Sequence, residues 1–138
     1  MTLLNLWTHE ELPVPGTVEA ERFDALARCH YTNQATHMDP RLIDVLTRVA
    51  GKFSARRIEV VSGYRSPKYN LMLRKKGHQV ARDSQHTHGN AVDFFIPHVT
   101  TQQLQAWAKA QKLGGVGIYL ESGFVHMDTG PIRFWSGD

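Results

Sequence analysis

The chain has 138 residues, 41% hydrophobic and 21% charged, which fits one ordinary globular domain built on a single core. No run approaches the roughly 20 consecutive apolar residues of a membrane-spanning helix, so such a span is not expected. The net charge of +3 suits an anionic partner, but Lys and Arg are scattered apart from Arg74-Lys75-Lys76 and no aromatic-interleaved basic strip accompanies them, so nucleic acid is not expected as a partner.

A single cysteine, Cys29, excludes an internal disulfide and, in its apolar-rich segment, reads as a buried thiol. The start, Met1-Thr2-Leu3-Leu4-Asn5-Leu6, lacks the basic and long apolar regions of a secretory signal, which leaves open whether a leader has been trimmed. Eight histidines are more than a chain of this length carries incidentally.

Residues 2–7 alternate loosely and predict a short strand, followed by the loop Pro13-Val14-Pro15-Gly16. Residues 19–29 are ambiguous between strand and helix. Asp39 is placed to cap a helix with Pro40 at its first position. Leu42, Val45, Leu46 and Val49 then share one face, and Gly51 is expected to end it. Ile58-Glu59-Val60-Val61 reads as a core strand running into Ser62-Gly63-Tyr64-Arg65-Ser66-Pro67, where Ser66 and Pro67 start a second helix reaching about residue 76. Residues 77–83 form a polar loop, and 91–96 read as a strand with Asp93 on the face opposite Val92 and Phe94. Thr100 caps a third helix that carries Leu104, Trp107 and Ala108 inward and is expected to stop at Gly114-Gly115. Val116–Leu120 and Phe124–Met127 form a hairpin around Glu121-Ser122-Gly123. With no repeat or linker, the expectation is one α+β domain over residues 1–138: helices over a small, mostly antiparallel sheet. The signals are firmer over 38–138 than over 1–37.

The chemistry concentrates in Ser84-Gln85-His86-Thr87-His88-Gly89-Asn90-Ala91-Val92-Asp93. A carboxylate inside an apolar strand needs a partner. A catalytic zinc site takes three ligands from the His/Asp/Glu set and keeps one position for water. His86 and Asp93 supply two; a lone His is usually a surface or hydrogen-bonded residue, and the pair gains weight only with a third ligand. The best candidate is His126, in the apolar hairpin strand Gly123-Phe124-Val125-His126-Met127-Asp128.

Ser84-x-His86-x-x-Gly89-x-Ala91-x-Asp93, followed by Val125-His126, resembles the zinc peptidases that cut D-amino-acid bonds in peptidoglycan. These include the D-alanyl-D-alanine carboxypeptidases, and they share a fold with lysostaphin-type enzymes and the Hedgehog signalling domain. The chain is most similar to the murein endopeptidase K-like branch. Ser62-Gly63-Tyr64-Arg65-Ser66-Pro67 upstream, Gly115-Val116-Gly117-Ile118-Tyr119, and Phe124 to Pro131 downstream occur in the order of that branch. The resemblance runs from about residue 38 to the end of the chain.

The resemblance implies a Hedgehog/DD-peptidase-like fold, with His86, Asp93 and His126 holding one zinc per chain. Two neutral imidazoles and one carboxylate leave a positively charged centre that acidifies water. It further implies that Arg65 binds substrate and that Ser84 positions substrate or braces the loop, with a structural ion pair and a turn hydroxyl as the plainer alternatives. Tyr64, beside Arg65, is expected to line the cleft, as is Tyr119. The usual proton acceptor is missing: the position three before the last zinc histidine is Gly123, and the position two before is Phe124. Asp128 shares the strand face of His126 and is expected either to be the general base or to orient His126. Glu121 is the second candidate base, and His88 is a candidate to assist proton transfer or touch substrate. Trp7, Trp107 and Trp135 are too dispersed to form a sugar-stacking platform, and His9, His30, His37, His78 and His98 receive no role.

The expected function is therefore that of a zinc metallopeptidase acting on the stem-peptide cross-links of peptidoglycan, periplasmic or at the cell envelope or extracellular, with a monomer favoured over an oligomer. Endopeptidase activity is favoured over D,D-carboxypeptidase activity, because the closest resemblance is to the endopeptidase branch and no insertion closes one end of the cleft. The choice between D,D and L,D bonds stays open. The alternative is a catalytically silent, zinc-containing module of the same fold that binds the cell wall.

Overall fold

The computed structural model describes residues 1–14, 19–78 and 80–138. Pro15, Gly16 and Gln79, parts of the two expected loops, lie outside the described residues. Among the described residues seven strands form one sheet, β1 (Thr2–Asn5), β2 (Glu11–Pro13), β3 (Arg57–Ser62), β4 (Ala91–Phe95), β5 (Gly115–Tyr119), β6 (Phe124–Asp128) and β7 (Arg133–Ser136). Four helices accompany them, α1 (Ala20–Leu26), α2 (Pro40–Lys52), α3 (Pro67–Lys75) and α4 (Thr101–Ala110). The fold is α+β.

The helices expected from capping chemistry are present. Asp39 accepts a hydrogen bond from the Arg41 amide at 2.9 Å and Pro40 opens α2. Leu42, Val45, Leu46 and Val49 are all buried on its inner face. Gly51 lies inside the last turn rather than after it, because it keeps a helical backbone and does not take the positive φ that ends a helix. Ser66 accepts from the Tyr69 amide to start α3, and Thr100 and Gln103 form a reciprocal capping box on α4. That helix ends at Ala110, before the expected glycine pair. The ambiguous 19–29 segment contains α1, whose first turn has no side-chain cap and which Phe23 and Leu26 anchor from below.

The sheet corrects the expectation of a small, mostly antiparallel one. Its order is β2-β1-β3-β4-β6-β5-β7, and two of its joints, β1 with β3 and β5 with β7, are parallel. Strands β2 and β7 add the two edges that local pattern did not reveal. Along the central strands, alternate side chains divide between two faces. Ile58, Val60, Val92, Phe94, Val116, Val125 and Met127 join the core with α2 and α4. The other face carries a row that crosses five strands in register: Ser62 opposite Asp93, Asp93 opposite His126, His126 opposite Gly117, and Gly117 opposite Trp135. A register shift in β3 between Val60 and Ser62 brings Ser62 into that row. The pairing of strands therefore places Asp93 and His126 side by side, although they are 33 residues apart.

Candidate metal centre

His86 reaches this row from a short 3-10 turn, Gln85–His88. Ser84 caps the turn by accepting from the His86 amide at 3.2 Å, and Gly89, at φ 71°, closes it. A side chain at Gly89 would be strained and would press on the His37 carbonyl at 2.8 Å. The Arg65 amide donates to the His86 carbonyl at 3.1 Å, which ties the turn to the segment after β3.

The orientation of each imidazole is set by its outer partner. His86 Nδ1 lies 2.7 Å from the Gly63 carbonyl, an acceptor only, so Nδ1 carries the proton and Nε2 presents a lone pair inward. His126 Nε2 lies 2.7 Å from Asp128 Oδ2, so the same logic leaves His126 Nδ1 as the inward lone pair. These two nitrogens are 3.2 Å apart, and Asp93 Oδ1 stands 3.2 Å from His86 Nε2 and 2.8 Å from His126 Nδ1. Three acceptors thus face one another within 4.8 Å, all of them buried. Without a cation between them the arrangement is repulsive. The donor set fits a divalent ion of zinc's preference for imidazole and carboxylate ligands.

Electrostatics agree with this geometry. Burial pushes the His126 imidazole down, but its hydrogen bonds with Asp128 and Asp93 outweigh burial and hold it up at about 9. A proton is the smallest cation that relieves the crowding. His86 is held below the ordinary histidine value, by burial first, against the opposing pull of Asp93. Burial raises the Asp93 carboxyl, yet the two imidazoles overcome it and hold it well below the usual carboxylate range.

Asp128 is fully buried and locked. Its Oδ1 accepts from the Gly115 amide at 2.9 Å, the Gly130 amide at 2.9 Å and Arg133 Nη1 at 3.2 Å. Its Oδ2 accepts from His126 Nε2 and from Arg133 Nη2 at 3.0 Å. Burial opposes its ionisation, and these partners more than reverse that. The carboxylate therefore sits behind His126, on the ring nitrogen that points away from the cluster.

The cluster opens into a cleft of about 270 Å³ whose walls include Arg65, Asp83, Ser84, Tyr119, Arg133 and Trp135. Arg65 Nη1 lies 3.3 Å from Asn70 Oδ1 and 3.5 Å from Ser84 Oγ, while its buried Nε has no hydrogen-bond partner among the described residues. Trp135 packs against His126 at 5.0 Å between ring centroids and donates its indole N–H to the Tyr119 hydroxyl at 3.0 Å. Gly117 makes room for it, since a Cβ there would meet the indole at 2.6 Å.

Three of the residues singled out from sequence are not brought to this cleft. Glu121 is exposed in the β5–β6 turn, away from the walls. His88 is exposed, pairs with Asp83 at 2.5 Å and faces a separate depression beside Pro67 and Arg74. Tyr64 packs half-buried against the core, and it is Tyr119 that lines the cleft. Sequence reasoning passed over Asp83, Arg133 and Trp135. The signal that would have found Arg133 and Trp135 is the strand alternation of β7, which is visible only once its pairing with β5 is known.

The sequence comparisons point the same way. The family described as peptidoglycan L,D-endopeptidase MepK matches residues 16–135. A probable peptidoglycan L,D-endopeptidase MepK of Haemophilus influenzae is 40% identical over 119 residues, covering 85% of this chain and 64% of that protein. The peptidoglycan L,D-endopeptidases MepK of Escherichia coli K12 and Shigella flexneri are each 36% identical, covering 98% of this chain and 79% of theirs. The chain thus spans somewhat less than two thirds of the Haemophilus relative's length. No solved structure matches the chain. With 120 of its 138 residues (16 through 135) inside the family's span, the chain belongs to the peptidoglycan L,D-endopeptidase MepK family.

Proposed function

We propose that this protein is a zinc-dependent peptidoglycan endopeptidase that cuts an L,D bond in stem-peptide cross-links, in the periplasm or cell envelope and as a monomer. The observation that carries the reading is the inward convergence of two imidazole lone pairs and one carboxylate at the foot of an open cleft. The names of the relatives support the L,D bond, and the motif blocks around Arg65, His86 and His126 support a Hedgehog/DD-peptidase-like arrangement of the α+β frame. No described helix is long and apolar enough to cross a membrane.

We assign His86 Nε2, Asp93 Oδ1 and His126 Nδ1 as the ligands of one zinc ion per chain. A zinc ion held there supplies Lewis acidity, polarising a carbonyl oxygen and lowering the pKa of water. The chain's own residues do the rest. The Arg65 guanidinium, braced by Asn70 and Ser84, holds a carboxylate or carbonyl of the peptide and stabilises negative charge that develops there. Trp135 and Tyr119 wall the cleft and limit water. Asp128 keeps His126 in the ligating tautomer, which leaves proton transfer to another group. Apart from Asp93, Asp83 is the one carboxylate lining the cleft among the described residues. We assign it that task, with His88 as its partner on the far side.

The test is mass spectrometry of products from defined cross-linked muropeptides. Wild-type protein is expected to hold about one zinc and to release L,D-cleaved products. His86→Ala should lose both the metal and the turnover, and Asp83→Asn should keep the metal and lose turnover by about 100-fold or more, the usual worth of a general base. Binding of sacculi with no product from zinc-loaded wild type would instead favour a silent wall-binding module, a reading supported by the absence of an acidic residue at position 123 and of a histidine at position 124.

A further inference from the structure

The face of the molecule beside the metal cleft carries four aromatic rings drawn from three distant segments. Trp7, in the turn after β1, lies parallel to His30, with ring centroids 4.4 Å apart and an interplanar angle of 9°. His30 meets the edge of Tyr69 at 5.1 Å, and Tyr69 stacks on Tyr31 at 4.9 Å. The cluster is rigid, because the Trp7 indole donates to the Val61 carbonyl at 2.8 Å and the rings brace one another. It is also open: Trp7 remains 56% exposed and Tyr31 52%.

An aromatic cluster that served only to seal the β1–β2 turn would bury its largest ring. Here the largest ring is anchored at its edge, covered by His30 on one face, and still keeps more than half of its area in solvent. The patch is stepped, since His30 and Tyr69 meet at 81°, and exposed aromatic surface of this kind beside a cleft marks a recognition surface. A groove of about 500 Å³ joins it to the site already described: Trp7, His30 and Tyr69 line it together with Arg65, Asp93 and Tyr119, which also line the metal cleft. Ser62, His78, Ser122 and Asp138 add polar groups to the groove's walls. Burial and the Arg65 charge hold the His30 imidazole below its ordinary value, so its ring stacks as a neutral aromatic.

Flat apolar faces edged by hydroxyls, an imidazole and a carboxylate match the chemistry of a pyranose, which has apolar C–H faces and hydroxyls around its perimeter. An extended peptide asks instead for strand backbone, and the Val61 carbonyl is already taken by the indole. We propose that the Trp7–His30–Tyr69 shelf is a saccharide subsite, which takes a sugar ring of the glycan strand whose cross-link lies in the cleft. The proposal rests on the reading of this protein as a peptidoglycan peptidase.

The test compares two ligands on the zinc-loaded protein, a disaccharide-bearing stem peptide and the same peptide without sugar. Binding is followed by the indole N–H signal of Trp7, assigned by its loss in Trp7→Phe, and hydrolysis is measured on the cross-linked forms of both. The sugar-bearing ligand should shift the Trp7 signal and bind about fivefold tighter, the size of one aromatic contact. Trp7→Ala should abolish that ratio without weakening the bare peptide, while Trp7→Phe, which keeps a flat ring, should retain most of it. Equal affinity for the two ligands, or a Trp7→Ala variant that weakens both alike, would overturn the subsite. Sugar-dependent binding without hydrolysis of either substrate would leave the subsite standing and remove the peptidase reading. Hydrolysis of both at equal efficiency, with no sugar preference in binding, would do the reverse.

Discussion

Replacing Asp128 by Asn preserves shape and removes one charge, and the surrounding donors dictate how the new side chain must sit. Oδ1 of Asp128 faces three donors, the amides of Gly115 and Gly130 and Arg133 Nη1. The amide oxygen of an asparagine must take that side. Its NH2 then occupies the place of Oδ2, where it opposes the Arg133 Nη2 donor and can only donate to His126 Nε2. Accepting that bond moves the histidine proton to Nδ1, which points into the His86–Asp93 cluster and blocks a ligand position. The flipped amide fares worse, with its NH2 against two backbone N–H groups. Loss of a ligand-orienting partner costs about 10- to 100-fold in metal affinity. Arg133 keeps its Nη1 bonds to the amide oxygen and to the Pro131 carbonyl and is 44% exposed, so losing the charge pair costs only about 1 kcal/mol. Zinc affinity from chelator competition, with thermal melting of the metal-free protein, reads both effects. An Asp128→Asn protein that binds zinc as the wild type does, yet has lost turnover, would refute the tautomer argument and make Asp128 the base.

Two more outcomes are expected from particular contacts. Gly117→Ala puts a methyl group 2.6 Å from the Trp135 ring and should cost about 1–3 kcal/mol of stability while freeing the indole, seen as a red-shifted tryptophan emission; an unchanged melting temperature and spectrum would show that Trp135 does not lie flat on β5. In the metal-free protein, Asp39 is held down at about 2 by Arg41, and Asp93 and Asp128 are held low as well. Groups whose folded pKa is depressed stabilise the fold above their unfolded pKa of about 4, and that stability drains away as pH falls toward 2. Melting temperature should therefore drop through that window, and a flat profile from pH 5 to 2 would contradict the assigned ion pairs.

The helices that local chemistry marks, α2, α3 and α4, were legible because caps and apolar periodicity act within one or two turns of chain. Glu19 provides no side-chain cap, so α1 carried no such mark. Strands β2 and β7 are three and four residues long and exist through their partners, so no local pattern could announce them. The same division runs through the site. Motif spacing singled out His86, Asp93 and His126, and the chemistry of imidazole and carboxylate named the kind of ion they suit. Trp7, by contrast, looked solitary along the chain, because its companions His30 and Tyr69 come from other segments and are not tryptophans.

What residue identity determined by itself was the inventory: a buried carboxylate in an apolar strand, two histidines at a distance, and the helix starts that frame them. Only the tertiary structure decided how that inventory is used. Strand register set Asp93 opposite His126, and the Gly63 carbonyl and Asp128 carboxylate chose which nitrogen of each ring faces inward. The reason is physical: side-chain type sets which atoms can donate or accept, whereas the direction in which they do so depends on neighbours that the backbone brings from elsewhere.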